Sequence, residues 1–288
     1  MKMKRKVITA LLAATMVASL AVGCGNKGGD SKSDSSKSSS SDEITIGFSQ
    51  VGAESDWRTA NSESMKSTFS EKNGYKLIFD DAQQKQENQI TAIRNFIQQD
   101  VDYIVLAPVT ETGWDTVLKE AKDADIPVII VDRMIDVSDD SLYTAWVGSN
   151  FKMEGQKACE WLNAYAEAKG MKEVNIAHIQ GTIGASAQIG RTEGLEEAAK
   201  EYGWNIVAQQ TGEFTQAKGQ EVMESMLKQY DNINVVYCEN DNEAFGAIDA
   251  IEAAGKTVGS DIANGEIMVM SFDTTNAGLT DTLAGKIA

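Results

Sequence analysis

Residues 44–80 carry the pattern that decides the fold: ITIGFSQ at Ile44–Gln50, an amphipathic stretch from Trp57 to Lys72, and YKLIFD at Tyr75–Asp80. Both short runs are rich in apolar, β-branched and aromatic residues, which is typical of buried strands, whereas the stretch between them has helical spacing. A strand, a helix and a second strand in this order form a βαβ unit, in which the strands run parallel. The pattern therefore predicts a parallel sheet with helices on its faces.

The same alternation continues along the chain and then starts a second time. The further strand patterns are YIVLAP, PVIIVDR and LYTAWVGS in the first set, and VNIAHIQG, WNIVAQQ, VVYCEN and IMVMSFD in the second. The further helical patterns are Gln86–Gln99, Trp114–Ala124, Ala187–Tyr202, Gln216–Gln229 and Glu243–Ala254. The sequence therefore predicts an α/β protein of two Rossmann-like, parallel-sheet lobes, with an N-terminal lobe at 44–147 and a C-terminal lobe at 148–276.

The N-terminal segment has the features of a secretion signal followed by a linker. Four basic residues precede an apolar run at Val7–Val22, which is typical of a signal peptide. The run leads into AVGC at Ala21–Cys24, which resembles the lipobox of bacterial lipoproteins, where the cysteine becomes the lipidated first residue. We therefore expect a lipoprotein signal peptide at 1–23, lipid attachment at Cys24 and a Ser-rich flexible tether at 24–43. The alternative is an ordinary signal peptide with an incidental cysteine.

The composition speaks against several classes of function. The formal net charge is −17, from 26 Lys and Arg against 43 Asp and Glu. No basic stretch follows the first six residues, so a nucleic acid is not an expected partner. The single histidine, His178, and three widely separated cysteines, Cys24, Cys159 and Cys238, do not fit a zinc cluster or a disulfide scaffold. We expect no metal and no cofactor.

Motifs of catalysis are also incomplete. Gly184–Gln188 nearly matches the nucleophile elbow G-x-S-x-G, but Gln188 stands at the position of the last glycine. His178 lies inside a strand pattern, which favours a sheet residue over a general base. The first strand is followed by Gln50–Glu54 and not by G-x-G-x-x-G, so a nicotinamide cofactor has no phosphate-binding loop. The sequence therefore predicts no catalytic residues.

Polar side chains gather at the carboxyl ends of the predicted strands. In parallel sheets of this kind, ligands bind beyond those ends, at the point where the strand order reverses. The candidates are Ser49, Gln50, Glu54, Arg58, Asp132, Arg133, Gly181–Arg191, Glu239, Asn240, Asp241 and Asp273. Buried charges of this kind are costly unless they are paired, so they indicate a binding site for a polar ligand. Trp57, beside the first group, is a candidate for stacking on a sugar ring.

Seven longer segments carry a resemblance to a known family. They are GFSQVGAESDWR, DAQQKQENQI, APVTETGW, LKEAKDADIPV, VDRMIDV, QGTIGASAQIGR and KGQEVMESM. In this order they are similar to the periplasmic sugar-binding proteins of ABC importers, in the ribose- and galactose-binding (type I) group, and above all to its galactofuranose-binding members. The resemblance implies a type I periplasmic binding protein fold, in which two lobes joined by a hinge of crossing strands close over one monosaccharide. It also implies an extracytoplasmic monomer that delivers the sugar to an ABC permease and meets the membrane only through its lipid anchor.

The resemblance also implies which residues bind the sugar. They are Glu54, Arg58, Asp132, Arg133, Arg191, Asn240 and Asp273. The chemistry fits, because carboxylates accept hydrogen bonds from sugar hydroxyls and arginines donate to them, both with charge assistance. Two alternatives stay open in the second lobe. Arg191 is equally suited to pair with Glu193 or Glu197, and of Asn240 and Asp241 one is expected to cap a helix, with the ligand role falling to Asn240.

The sequence departs from the family pattern in two places. Asp273 is followed by Thr274, where relatives carry glycine. The chain stops at 286–288, where relatives continue into a strand, a helix and a final hinge crossing, so the C-terminal end is predicted to be truncated. On the family pattern, part of 277–288 is assigned to the N-terminal lobe.

Other functions remain as alternatives at this stage. The ligand alternatives are another aldose or polyol, namely ribose, galactose or inositol, and the role alternative is a sugar-sensing co-receptor. A sugar hydrolase would use paired carboxylates, for which Glu54 and Asp132 are the candidates. A repressor of the LacI type would need an N-terminal helix-turn-helix, but the first 43 residues carry a signal and a tether pattern instead.

Overall fold

The structure is a computed structural model and describes residues 43–288. The predicted signal peptide, the tether up to residue 42 and Cys24 lie outside the described residues. Among the helices that are described, none combines the length and the apolar character needed to cross a membrane.

Five parallel strands form the first sheet. They are β1 (Ile44–Gln50), β2 (Tyr75–Asp81), β3 (Tyr103–Leu106), β4 (Val128–Asp132) and β5 (Ala145–Gly148), in the spatial order β2-β1-β3-β4-β5. The helices between them are α1 (Asp56–Thr68), α2 (Gln86–Gln98) and α3 (Asp115–Asp123). Apolar side chains alternate between the two faces of the strands: Ile104 and Ile130 pack against α2 and α3, whereas Phe48 and Val105 belong to the cluster on the other face. Both faces are therefore covered.

Four parallel strands form the second sheet. They are β6 (Asn175–Gln180), β7 (Asn205–Thr211), β8 (Val235–Cys238) and β9 (Met268–Met270), in the order β7-β6-β8-β9. The helices of this half are α4 (Phe151–Lys169), α5 (Ser186–Tyr202), α6 (Gln216–Gln229), α7 (Asp241–Ala253) and α8 (Asn276–Leu283). The two sheets define the two lobes, and the predicted fold class is confirmed. The bounds agree closely with the sequence pattern, and α7 begins at Asp241, before the predicted Glu243, because Asn240 caps it.

The two described cysteines lie on opposite faces of the second sheet. Cys159 packs with Val235 and Tyr237, whereas Cys238 belongs to the cluster that contains Val236. Both are free thiols, and burial raises the pKa of Cys159 to about 12. They are small core residues and not a redox pair.

The last residues pack on the second sheet, whereas part of 277–288 was expected in the N-terminal lobe. Ile287 forms a parallel bridge with Val269, and the backbone N–H of Ala288 donates to the carbonyl of Val269 at 2.9 Å. Ile287 is buried in the same cluster as Ile251. A short loop separates β9 from α8, and a short connection returns the chain to the sheet it has just left.

Candidate functional site

A cavity of about 630 Å³ lies at the carboxyl ends of the strands and is lined by residues of both lobes. Small-molecule sites usually measure about 300–1,000 Å³. All the residues predicted to bind sugar line it: Glu54, Arg58, Asp132, Arg133, Arg191, Asn240 and Asp273. The first four come from the loop after β1, from α1, from the last residue of β4 and from the loop after it, and the last three come from α5 and the loops after β8 and β9. The cavity therefore lies at the strand ends, where the sequence predicts a binding site.

Arg58 is the centre of the charged cluster in the first lobe. Its Nε donates to Oε1 of Glu54 at 3.1 Å, and its Nη2 donates to Oδ2 of Asp132 at 2.5 Å. Burial lowers the pKa of Arg58, but attraction from Asp132 and Glu54 outweighs it, so the pKa lies above its ordinary value. Ser55 caps α1 by accepting from the N–H of Arg58 at 3.1 Å, which fixes the start of the helix. The guanidinium therefore stays charged and fixed in position.

Arg133 shares the same carboxylates from the other side. Its Nη2 donates to Oε1 of Glu54 at 3.1 Å, and its Nε lies 4.0 Å from Oδ2 of Asp132. Burial, and then repulsion from Arg58, lowers the pKa of Arg133 below its ordinary value. The carboxylates of Glu54 and Asp132 thus hold two guanidinium groups together at one wall of the cavity.

Three buried polar atoms of this cluster have no hydrogen-bond partner among the described residues. They are Oε2 of Glu54, Nη1 of Arg58 and Nη1 of Arg133. Buried polar groups are nearly always hydrogen-bonded, so such atoms at the wall of a cavity indicate groups that a ligand satisfies. One acceptor and two donors side by side match hydroxyl groups, which both donate and accept.

Arg191 is the corresponding cation of the second lobe. Its Nε and Nη2 donate to Oε2 of Glu154 at 3.2 and 3.0 Å, its Nη1 donates to the carbonyl of Glu239, and its Nη2 lies 3.6 Å from Oδ1 of Asp273. Burial lowers its pKa, but attraction from Asp273 and Glu154 outweighs burial and raises the pKa above its ordinary value. The ion-pair partner on α4 is Glu154, so the alternative that paired Arg191 with α5 carboxylates through Glu193 or Glu197 is wrong. Those two carboxylates bind Lys152 instead.

Asp273 lies in a strained loop after β9. Its φ is +89° and that of Thr274 is +58°, both in the left-handed region that glycine adopts at little cost. Thr274 therefore has a backbone conformation that glycine would favour. Burial raises the pKa of Asp273 to about 6; Arg191 opposes the shift, and Asp241 and Asp132 add to it.

Asn240 both lies at the cavity and caps a helix, whereas the sequence argument divided these two positions between Asn240 and Asp241. It lines the cavity, and its Oδ1 accepts from the N–H of Glu243 at 2.8 Å, which caps α7. Its Nδ2 donates to the carbonyl of Phe214 at 3.0 Å. Asp241 accepts instead from the hydroxyls of Ser271 and Thr275, so it braces the loop that carries Asp273.

Aromatic rings lie against each of the three arginines. Phe214 is 4.8 Å from the guanidinium carbon of Arg133, Trp57 is 4.9 Å from that of Arg58, and Phe272 and Phe151 lie 4.6 and 5.2 Å from that of Arg191. The sequence argument found Trp57 but missed the phenylalanines and Glu154. Their positions in the sequence could have indicated two of these rings, because Phe214 and Phe272 both follow strands of the second sheet, as the polar candidates do.

Direct hydrogen bonds join the lobes around the cavity. The N–H of Asp56 donates to Oδ1 of Asn242 at 3.0 Å, and the N–H of Met134 donates to the hydroxyl of Ser186 at 2.8 Å. A third bond runs from the N–H of Glu111 to the carbonyl of Gly184 at 2.8 Å. The two lobes are therefore in direct contact beside the cavity.

The arrangement suits binding better than catalysis. Glu54 and Asp132 both accept hydrogen bonds from Arg58, whereas a glycosidase needs one carboxyl group that donates a proton. His178 lies in β6, as predicted, fully buried with its Nε2 2.9 Å from Oε1 of Glu239. Within residues 43–288, no group of three or more histidines, cysteines or carboxylates is placed to hold a metal ion.

Comparison with known proteins also indicates a binding protein. Residues 46–288 match the family described as periplasmic binding protein domain. The chain is 49% identical over 228 residues to the galactofuranose-binding protein YtfQ of Escherichia coli strain K12, a match that covers 78% of this chain and 70% of that protein.

Two solved structures are similar over most of the chain. A Mycobacterium smegmatis protein in complex with β-D-fucofuranose has a TM-score of 0.79 and 46% identity, covering 85% of this chain and 78% of that one. The periplasmic binding protein of the arabinose ABC transporter from Shewanella sp. ANA-3, bound to α- and β-L-arabinofuranose, has a TM-score of 0.78 and 47% identity, with the same coverage.

The fold and the cavity define a two-lobed solute-binding protein, and the chain belongs to the periplasmic binding protein domain family. The resemblance found in the sequence is thereby confirmed, including its direction toward galactofuranose-binding members. Both the family description and the name of the relative from Escherichia coli are those of binding proteins.

Proposed function

We propose that this protein captures a monosaccharide, galactofuranose first, between its two lobes outside the cytoplasm and delivers it to an ABC permease. The observation that carries the proposal is the lining of the cavity, where three arginines and four carboxylates meet. Opposite charges nearly balance, so the cavity does not favour an anion or a cation. A neutral molecule with many hydroxyls is the ligand that uses both kinds of group.

The sugar contacts are assigned to the residues predicted from the sequence. They are Glu54, Arg58, Asp132, Arg133, Arg191, Asn240 and Asp273. The unpartnered atoms of Glu54, Arg58 and Arg133 support the assignment in the first lobe. Because the ligand touches both lobes, its binding energy stabilises the closed arrangement, and the permease recognises that state. The protein acts as a monomer and performs no reaction.

The furanose ring form rests on the similar proteins. The relative from Escherichia coli is named for galactofuranose, and the two solved structures contain fucofuranose and arabinofuranose. Identities of 46–49% make a shared ring form the first hypothesis for this cavity. Another aldose or polyol, such as ribose, galactopyranose or inositol, is the alternative ligand, and sugar sensing is the alternative role.

Calorimetric titration with ring-locked sugars tests the proposal. Methyl β-D-galactofuranoside is expected to bind with a lower dissociation constant than methyl β-D-galactopyranoside. The methyl glycosides cannot change ring form, so the two dissociation constants compare the furanose ring with the pyranose ring directly. Galacturonate and galactosamine serve as matched charged controls, and we expect both to bind more weakly than galactose. Absence of binding to every pentose and hexose contradicts the proposal, and preferential binding of inositol or ribose selects the alternative ligand.

Attachment to the outer face of the membrane through Cys24 is part of the same proposal. The argument is the sequence alone: a basic and apolar signal pattern that ends in AVGC, followed by a polar stretch. Acyl chains add about 0.8 kcal/mol of membrane affinity per buried CH₂ group, whereas the acidic chain is repelled by anionic lipids.

Replacing the lipid-attachment cysteine is expected to release the protein from membranes. In the Cys24→Ser variant the protein should move from the membrane fraction to the soluble fraction and lose incorporation of labelled fatty acid. Ser31→Ala, in the same polar stretch, is the control and should stay with the membrane. A Cys24→Ser protein that remains in the membrane fraction rules out this anchor.

A further inference from the structure

Phe214 forms a wall of the cavity in an unfavourable backbone conformation. Its ring lies over Arg133 of the other lobe, at 4.8 Å, and against Gly181, where an added Cβ would come within 1.9 Å of the ring. Both Glu213 and Phe214 have positive φ angles, of 56° and 61°. Neighbouring non-glycine residues in the left-handed region need other groups to hold them there.

Two side chains of the second lobe hold this turn. The N–H of Phe214 donates to Oε1 of Glu243 at 2.9 Å, and its carbonyl accepts from Nδ2 of Asn240 at 3.0 Å. The other carboxyl oxygen of Glu243, Oε2, accepts from the N–H of Glu239 at 3.1 Å. Glu243 is fully buried and is not among the residues that line the cavity. Glu243 therefore contacts the backbone of Phe214 without lining the cavity itself.

The first lobe contains the same turn, held in a different way. Gln83 and Gln84, after β2, have φ angles of 53° and 60°, which match those of Glu213 and Phe214 after β7. In the first lobe the N–H of Gln84 donates to a backbone carbonyl, that of Val51, at 2.7 Å. In the second lobe the corresponding N–H donates to a side chain, so this hydrogen bond is lost when the carboxyl group of Glu243 is replaced.

We propose that Glu243 is a positioning residue of the sugar site, which holds Phe214 in its left-handed conformation and thereby sets the affinity for the ligand without touching it. The inference rests on the proposed function, since it concerns the same cavity. Its mechanism is local: when the carboxyl group is lost, the turn at Glu213 relaxes to negative φ angles and the ring of Phe214 leaves Gly181 and Arg133. The cavity then loses an apolar surface and a contact between the lobes.

Glutamine has nearly the shape of Glu243 and keeps part of its hydrogen bonding. Burial, and then repulsion from Glu239, raises the pKa of Glu243 well above its ordinary value, whereas the N–H groups of Phe214 and Glu239 and the charge of Arg191 oppose the shift. Its two oxygens accept from two different backbone N–H groups, Oε1 from Phe214 and Oε2 from Glu239. Glutamine keeps one acceptor oxygen for the N–H of Phe214, but alanine keeps none.

A double-mutant cycle in ligand affinity tests the inference. Glu243→Ala, Phe214→Ala and the double variant are titrated with methyl β-D-galactofuranoside, and Glu243→Gln is added as the conservative rescue. We expect Glu243→Ala to weaken binding by about 10- to 100-fold when Phe214 is present, and to have almost no effect when it is absent. Glu243→Gln should restore most of the affinity. Hydrogen exchange at the Phe214 amide is measured in parallel and should accelerate in Glu243→Ala without any ligand.

Gln89 provides a matched structural control. Its buried side chain bridges the carbonyl of Ala107 and the N–H of Val109 in the first lobe, at 2.7 and 2.9 Å. Gln89→Ala should lower the free energy of unfolding yet combine additively with Phe214→Ala in ligand affinity.

The outcomes separate this inference from the proposed function. If Glu243→Ala weakens binding equally with and without Phe214, or if exchange at the Phe214 amide does not change, the positioning role is overturned although the protein binds sugar. If the native protein binds no sugar at all, the proposed function fails, and the role in affinity fails with it. If Glu243→Ala does not fold, Glu243→Met replaces it in the cycle, because methionine has a similar size but offers no oxygen acceptor to the N–H of Phe214; equal weakening with and without Phe214 then overturns the inference.

Discussion

Replacing Arg58 with alanine is expected to weaken sugar binding at least about 30-fold, because the ligand loses a buried charged donor. The same change leaves Asp132 with only the distant Nε of Arg133, at 4.0 Å, and removes one of the two partners of Glu54. Removing one member of a buried ion pair costs about 3–5 kcal/mol, so the free energy of unfolding should fall by a similar amount. Calorimetric titration and denaturant unfolding measure the two effects separately.

Arg94→Ala is the matched control for this prediction. Arg94 also makes a two-pronged ion pair, with both oxygens of Glu120 at 2.9 Å, but on the exposed surface of the first lobe. Its loss should leave the affinity unchanged. Arg58→Lys keeps the charge without the fork geometry and should bind more weakly than the native protein, which protects the test if the alanine variant does not fold. Native affinity in Arg58→Ala would contradict the assigned role.

Replacing Asp273 with asparagine is expected to stabilise the protein at neutral pH and to weaken sugar binding. Burial raises the pKa of Asp273 to about 6, from an ordinary value of 3.8. Well below pH 3.8 the group is protonated in both the folded and the unfolded chain and contributes nothing. As the pH rises toward 6 the unfolded chain releases the proton first, so the folded state loses stability, and above 6 the full penalty, about 3 kcal/mol, is present.

Unfolding measured between pH 4 and pH 8 tests this prediction. The free energy of unfolding of Asp273→Asn minus that of the native protein should be smallest at pH 4, rise through pH 5 and 6, and level off at up to about 3 kcal/mol. The affinity for the sugar should fall in the same variant, because asparagine is a weaker acceptor. A difference that stays flat across this range would show that the buried carboxyl group carries no such penalty. Raised stability with reduced binding is the expected signature of a residue kept for function.

The fold was predictable because local pattern and tertiary structure agree. The apolar run of β1 and the helical pattern at Gln216–Gln229 have the bounds that the structure gives them. The predicted assignment of 277–288 came from the family pattern, whereas Ile287 finds its apolar contacts on the nearby second sheet. No local pattern in so short a segment decides which of two sheets it joins.

The polar half of the site was also predictable, since strand ends in parallel sheets converge and charged residues there stand out in the sequence. The parts that the sequence did not indicate depend on contacts between distant elements. Glu154 lies on α4 and reaches Arg191 on α5, and only the packing of these two helices brings them within 3.0 Å. Phe214 reads as an ordinary core residue, and its place at the cavity follows from a left-handed turn that Glu243 and Asn240 stabilise.

A crystal structure of the protein with methyl β-D-galactofuranoside measures most directly whether both lobes bind one sugar. We predict a single furanose ring in the cavity, with hydroxyls within 3.2 Å of Arg58 and Asp132 from the first lobe and of Arg191 or Asp273 from the second, as hydrogen-bond geometry requires. Oε2 of Glu54 and Nη1 of Arg133 should gain partners in the complex. A sugar that contacts one lobe only, or that binds outside this cavity, would contradict the proposed function.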